Sequence, residues 1–337
     1  LEEVDVGAEV AEGAALVLQR QHAAHLGAVV PMEGVALDDH RIDRLAPEVR
    51  RTLQIASVIG RTFSQRVLEE LLGPAVDVAA HIQTLIGADL IRPAGDVEVE
   101  FTFLHALARD AAYETILLRQ RRRYHRQVAE AIEVLYQDRM DEEAPRLAYD
   151  YVEGRDLSKA LRYCIRAGES AARVYAHAEA IEHYSRAIGL AQVLASTISN
   201  DQLTELYLRL GRIYELNGQY DEALDTYETL VTISQGHGDK SGELAALTAQ
   251  IVIYSTPNSR MNAESGLELA DRALQLAKET GNTEAEARVH WGLLLHYLNV
   301  DVNPRMAVAQ GEVALALSRG NDLEELHAFV LNDIARA

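Results

Sequence analysis

The chain has 337 residues, a formal net charge of −20, 48% hydrophobic and 25% charged residues, enough apolar material for two or three buried cores. So acidic a chain repels nucleic acid and anionic membranes unless its basic residues cluster, and neither is expected as a partner. One cysteine, Cys164, excludes an internal disulfide framework and a cysteine-based zinc site, and it falls on an apolar helical face as a small buried hydrophobe.

No apolar run reaches the roughly 18 residues that a membrane helix needs. The opening LEEVDVGAEV is acidic where a signal peptide is positive, so a cytoplasmic protein is expected. The chain starts on Leu and stops at LNDIARA, inside a helical pattern, which suggests a piece of something longer. Residues 1–40 form a poorly defined segment: Ala8–Leu26 has helical composition, and Gly27–Val35 is broken by Gly and Pro. His22 and His25 share a helix face without a third ligand, which fits a solvated face.

From Arg41 the pattern sharpens. Pro47 stands at a first helical turn, and Val49, Leu53, Ile55, Ala56 and Ile59 follow at helical spacing until Gly60-Arg61. Ser64 caps a short helix, Gln65–Leu72, closed by Gly73-Pro74. A third helix runs from about Val76 to Leu90. A turn at Ile91–Asp96 leads into Val97–Phe103, which alternates as a strand does. Three short helices and a two-stranded wing resemble a winged helix, assigned here to residues 41–138 with a linker helix. Its third helix offers no arginine or lysine to phosphates or base edges, so it is a poor reader of DNA.

The chain is organised around Phe101–Ile132. His105 follows the strand and opens the next helix, shielded in part by Phe103 and Leu107; alone, such a histidine is satisfied by a backbone carbonyl. That helix continues through Arg109, Asp110, Tyr113 and Glu114 into Arg119, Arg121, Arg122, Arg123, His125 and Arg126. The five arginines cannot all lie on one side. They are either a solvated face paired with acids or a dock for an acidic or phosphate-bearing partner.

Residues 141–337 are read as helix throughout, beginning with a pair at Arg146–Val152 and Leu157–Ala167. Tyr207, Leu210, Gly211 and Tyr214, then Gly218, Tyr220, Ala223, Tyr227 and Leu230, have the spacing of a tetratricopeptide repeat. The register recurs at Ala180, Gly266 and Ala307, with Ala223 between. The steps are 43, 43 and 41 residues, longer than the usual length of about 34. Turns recur at Gly238-Asp239, Gly281-Asn282 and Gly320-Asn321. The fold class is therefore all-α with a small β wing, a winged-helix module followed by a tetratricopeptide-repeat-like α-solenoid. Such an array offers a protein or peptide a concave surface, and its acidity favours a basic partner. The Tyr and Trp positions are core. His177 with His183, and His290 with His296, do not share a helix face, which argues against metal binding.

Three segments, RIDRLAPEVRRTLQIASVIGRTF, FTFLHALARDAAYETILLRQRRRYHRQVAEAI and AYDYVEGRDLSKALRYCIRAGESAARVYAHAEAIEHYSRAIGLA, resemble the region after the ATPase domain in bacterial STAND-type NTPases. The similarity spans about residues 41–195 and is nearest to class III adenylate/guanylate cyclases that carry such an ATPase. It implies a role for one residue. Leu104-His105-Ala106 resembles the MHD-type motif, whose histidine contacts the β-phosphate of ADP and holds the closed state; Ala106 replaces the motif's acid. ADP or ATP is expected only with a separate nucleotide-binding domain, itself an expected partner, because the chain carries no G-x-x-x-x-G-K-[ST] loop. No catalytic residue and no enzymatic activity are expected of this chain. The expected function is a regulatory scaffold of a STAND-type NTPase, with a stand-alone repeat adaptor and a DNA-binding regulator as the alternatives.

Overall fold

In the computed structural model, which describes residues 40–94, 99–319 and 323–337, helix α1 (Pro47–Ile59) starts on its proline and ends at Gly60. The proline's missing N–H would be unpaired in a first turn anyway. Eight of the helix's residues are buried, from Val49 to Ile59, so α1 forms the centre of the N-terminal unit.

Strand β1 (Thr62–Ser64) follows, and the Ser64 hydroxyl accepts from the Arg66 amide at 3.2 Å to start α2 (Gln65–Leu72). Asp77 caps α3 (Val78–Gly87) through the Ala80 amide. Strands β2 (Ile91–Ala94) and β3 (Glu100–Phe103) complete an antiparallel sheet of order β1-β3-β2, with Phe63 opposite Phe101 and Ile91 opposite Phe103. The sheet has three strands rather than two, since Thr62–Ser64 is too short to show alternation. Phe63 lies 6.0 Å from Phe101 and 5.7 Å from Phe103, ring to ring, and closes the small core.

The helix expected to run unbroken from His105 is two helices, α4 (Ala106–Glu114) and α5 (Leu118–Leu135). Thr115 turns its hydroxyl back to the Ala112 carbonyl, and Ile116 is drawn into the core at 2% exposure, which ends the first helix. Helix α6 (Met140–Glu153) begins earlier than expected and contains Pro145. Pro145 stands in the second turn, where it gives up the amide that would have met the Asp141 carbonyl. Helix α7 (Leu157–Arg173) is tied to α5 where Glu133 accepts from Lys159 at 2.8 Å, Arg162 at 3.0 Å and Tyr163 at 2.5 Å. Burial pushes the Glu133 carboxyl up, but Lys159, Tyr163 and Tyr151 outweigh it and hold the carboxyl below its ordinary value. Cys164 is buried on α7.

This unit extends to Ser170, together with residues 192–194, and the other holds residues 171–191 and 195–337. The second is an α-solenoid of α8 (His177–Val193), α9 (Asn200–Leu216), α10 (Tyr220–His237), α11 (Lys240–Ser255), α12 (Ala263–Thr280), α13 (Thr283–Asn299), α14 (Pro304–Arg319) and α15 (Glu324–Ile334). Helices α9 to α14 are 16 to 18 residues long, which accounts for the long repeat. Gly211 leaves room for the Tyr227 ring to lie across α9, and Gly292 does the same for Ile251. Gly238 and Gly281 take left-handed φ values of 68° and 65°, a conformation glycine adopts without penalty. Each precedes an N-cap, Asp239 or Asn282. The expected Gly320-Asn321 turn, Val97-Glu98, and the segment with His22 and His25 lie outside the described residues.

Candidate functional site

Strand β3 ends in a firmly held position. The Phe103 amide donates to Arg61 O and the Leu104 amide to Leu90 O, both at 3.0 Å. The next residue, His105, is the N-cap of α4 in extended conformation, but its side chain makes no capping bond. The expected shielding by Phe103 and Leu107 is absent: Phe103 turns into the core, and His105 is exposed. Arg109, one turn on, donates to the Ser57 carbonyl at 3.2 Å and fastens α4 to the end of α1.

The arginines of α5 divide. Arg121 donates to the Ile116 carbonyl at 2.8 Å and the Glu114 carbonyl at 2.9 Å, with its guanidinium 4.6 Å from the centre of the Tyr113 ring. It serves the turn after α4, where unpaired carbonyls need donors. Arg126 donates to the Gly154 carbonyl at 2.7 Å, just past the end of α6. Arg119, Arg122 and Arg123 are exposed and have no hydrogen bond or ion pair among the described residues. Their spacing is i, i+3 and i+4, which puts them on one helix face. Arg126 shares that face and Arg121 lies opposite.

Beneath that face is a group of residues that sequence reading counted only as part of a basic run. His125 is 1% exposed and Asp150, on α6, is 2% exposed. Nδ1 of the imidazole and Oδ1 of the carboxylate are 2.7 Å apart, and the Tyr113 hydroxyl is 3.0 Å from Nε2. Burial pushes the Asp150 carboxyl up, and the His125 hydrogen bond opposes this. Burial and then Glu153 push the Tyr113 phenol up. The constellation joins α4, α5 and α6, and an inward role for His125 was legible: with Val128, Ala129 and Ile132 it forms an i, i+3, i+4, i+7 stripe.

In the second unit, α9, α11 and α13 line a groove of about 420 Å³. Its wall is mostly apolar, formed by Leu208, Leu244, Ala249, Val252 and Trp291, with Arg288 at the polar part. Arg288 is paired with Glu284 one turn away at 3.1 Å, and the Trp291 indole N–H donates to Asp333 at 2.9 Å. The alanines on α11 leave the space, as smaller side chains on the middle helix must if the groove is to stay open. Among the described residues, no group of three His, Cys, Asp or Glu side chains is placed to hold a metal ion, and no helix is long and apolar enough to cross a membrane.

Residues 204–237, which make up most of α9 and all of α10, match the tetratricopeptide repeat family. No curated protein matches the chain. Among solved structures it is similar to BtubC (BKLC) from P. vanneervenii, with 21% identity over 59% of this chain and 83% of that one and a TM-score of 0.44. It is also similar to a Signal Transduction ATPase with Numerous Domains protein with a tetratricopeptide repeat sensor from Pyrococcus horikoshii. There the identity is 15% over 88% of this chain and 48% of the other, with a TM-score of 0.36. The chain thus spans about half the length of the Pyrococcus protein. Superpositions this loose do not carry residue roles from one protein to the other.

Proposed function

We propose that this chain is the sensing and relay portion of a STAND-type signalling NTPase, working in the cytoplasm, with the repeats holding a protein or peptide partner. The observation that carries the reading is the groove formed by alternate helices of a tetratricopeptide repeat array, with Trp291 in its wall. A mostly apolar, preformed groove with few polar groups suits a peptide segment.

In this reading residues 41–138, within the first unit, are a winged helix with its linker helix, supported by the order helix, strand, helix, helix, strand, strand and by a three-stranded sheet. Its α3 turns His81 inward, where Nδ1 meets the Thr52 hydroxyl at 2.8 Å. It offers DNA no cationic side chain, so the module acts on protein. His105 is the latch: it stands exposed on a backbone held by two strand-end hydrogen bonds, ready to meet the phosphate of ADP in a separate nucleotide-binding domain. Exchange of ADP for ATP then shifts the population toward the released state. A class III adenylate/guanylate cyclase-type parent fits this arrangement.

Two experiments test it. Random-peptide display against the chain, counter-selected with Ala249→Trp, should enrich peptides that bind only the open groove; the absence of such peptides refutes the groove. In a protein joining this chain to its nucleotide-binding domain, His105→Ala should raise basal output and speed ADP release. An unchanged basal level refutes the latch.

A further inference from the structure

The inward-facing stripe of α5 continues past the elements that cover it. Leu118 lies seven residues before His125, two helical turns along nearly the same face, yet Leu118 is 63% exposed and Leu117 before it 71%. Leu117 is the N-cap of α5 and supplies no side-chain cap, and no acidic residue stands in the first turn. Arg119 is the neighbour of Leu118 in sequence and Arg122 lies one helical turn after it, so Leu118 borders the cationic face, and α5 has no Asp or Glu before Glu130.

On helix energetics alone the arrangement is unfavourable. Three like charges at i, i+3 and i+4 repel one another, and cations oppose the macrodipole at a helix start. Two neighbouring leucines in water add to the cost. Some exposed arginines elsewhere are paired along their helices, as with Arg212–Glu215 at 2.6 Å and Arg288–Glu284 at 3.1 Å, and others, such as Arg66 and Arg305, stand singly. In a protein of net charge −20, three such arginines gathered on one helix face are a local concentration of positive charge.

We propose that Leu117, Leu118, Arg119, Arg122 and Arg123 form a docking surface for an acidic, leucine-containing peptide segment of another protein. Carboxylates of the segment neutralise the three guanidiniums, and its apolar side chains cover the two leucines. Arginine suits the role because its planar fork takes a carboxylate through two N–H donors. The leucines choose between anion sources: a free phosphate or a polyphosphate chain would satisfy the arginines and leave Leu117 and Leu118 exposed. This surface is independent of the groove reading and of the nucleotide relay.

The test uses the full chain and a short fluorescein-labelled peptide of alternating Glu and Leu pairs, with a Gln-for-Glu version and inorganic polyphosphate beside it. Fluorescence anisotropy should report binding of the Glu peptide that weakens as salt rises. Arg122→Glu combined with Arg123→Glu should weaken it at least about tenfold, and Leu118→Ser, tested alone, should weaken it severalfold. Both changes are at exposed positions, so melting curves should match those of the unaltered chain. Ala249→Trp, which fills the groove, should leave binding as it was. Equal binding of the Gln peptide overturns the proposal, as does no binding at about millimolar peptide. Polyphosphate binding as tight as the peptide, with Leu118→Ser silent, makes the surface a phosphate site and equally overturns it. Loss of binding in Ala249→Trp would place the peptide in the groove instead.

Discussion

Gly211→Ala gives a sharp test of the packing because two effects on stability have opposite signs. In an isolated helix, alanine in place of glycine adds about 1 kcal/mol of stability. Here the new methyl would overlap Cε1 and Cζ of Tyr227 and stand 2.8 Å from its hydroxyl. The ring is 2% exposed, and its O–H donates to Glu215 at 2.6 Å, so it has no room to withdraw and loses its hydrogen bond if pushed. Overpacking costs about 1–3 kcal/mol, and a hydrogen bond to a charged acceptor contributes about 1.5–3 kcal/mol. After the helix gain is subtracted, the expected loss is about 3 kcal/mol. Urea denaturation followed by far-ultraviolet circular dichroism measures it, with hydrogen exchange on α9 to localise the loss. In a Tyr227→Leu background the ring is gone, and Gly211→Ala should become neutral or stabilising. Gly211→Ala as stable as the parent, or no reversal of sign in the second background, refutes the argument.

Three further outcomes are expected. Asp150→Ala leaves His125 buried without its acid and should cost about 3–5 kcal/mol, while replacing both by leucine should cost far less; a loss near the 0.5 kcal/mol or so of a surface change would refute the buried pairing. Burial, and after it Arg186, depress the His183 imidazole below its ordinary value. A depressed folded-state value contributes stability above the unfolded value of about 6.5 that is lost as pH falls through the folded one; His183→Gln should therefore flatten the acid limb of the stability–pH curve, and an unaltered limb would count against it. Trp291 is the sole tryptophan and lines the groove, so a peptide in the groove should shift its emission. Saturated binding without a shift would place the peptide elsewhere.

Features written in neighbouring residues were legible. Pro47 and Gly60 bound α1, Ser64 caps α2, and the Gly211–Tyr227 spacing encodes a close helix crossing. Features that depend on what a segment packs against were not. Nothing in Thr115-Ile116-Leu117 is a glycine or proline, yet the helix breaks there because Ile116 is drawn into the core and Arg121 holds the freed carbonyls. Strand β1 is three residues long and exists because β3 lies beside it. His125 and Asp150 are 25 residues apart, beyond any local pattern, so a hydrogen-bonded pair that helps to decide how three helices meet was hidden in a run that looked uniformly basic. A concave surface on the array was expected, but its place at α9, α11 and α13 depends on which side chains meet across those helices.

The division of labour along α5 gives the first unit a mechanical character. Helix α4 starts just after His105 and carries Tyr113 in its last turn, where the Tyr113 hydroxyl meets His125 on α5; His125 in turn meets Asp150 on α6. Arg121 secures the turn between α4 and α5, and Arg126 the end of α6. Close packing already resists sliding of these helices, and the directional hydrogen bonds add to it, most of all at His125–Asp150, where a displacement would strand a polar group that water cannot reach. The proposed latch at His105, just before α4, would therefore act on α4, α5 and α6 together rather than on the first turn alone. Arg121, His125 and Arg126 brace these three helices internally, while Arg119, Arg122 and Arg123, on the outer face of α5, make no such bond.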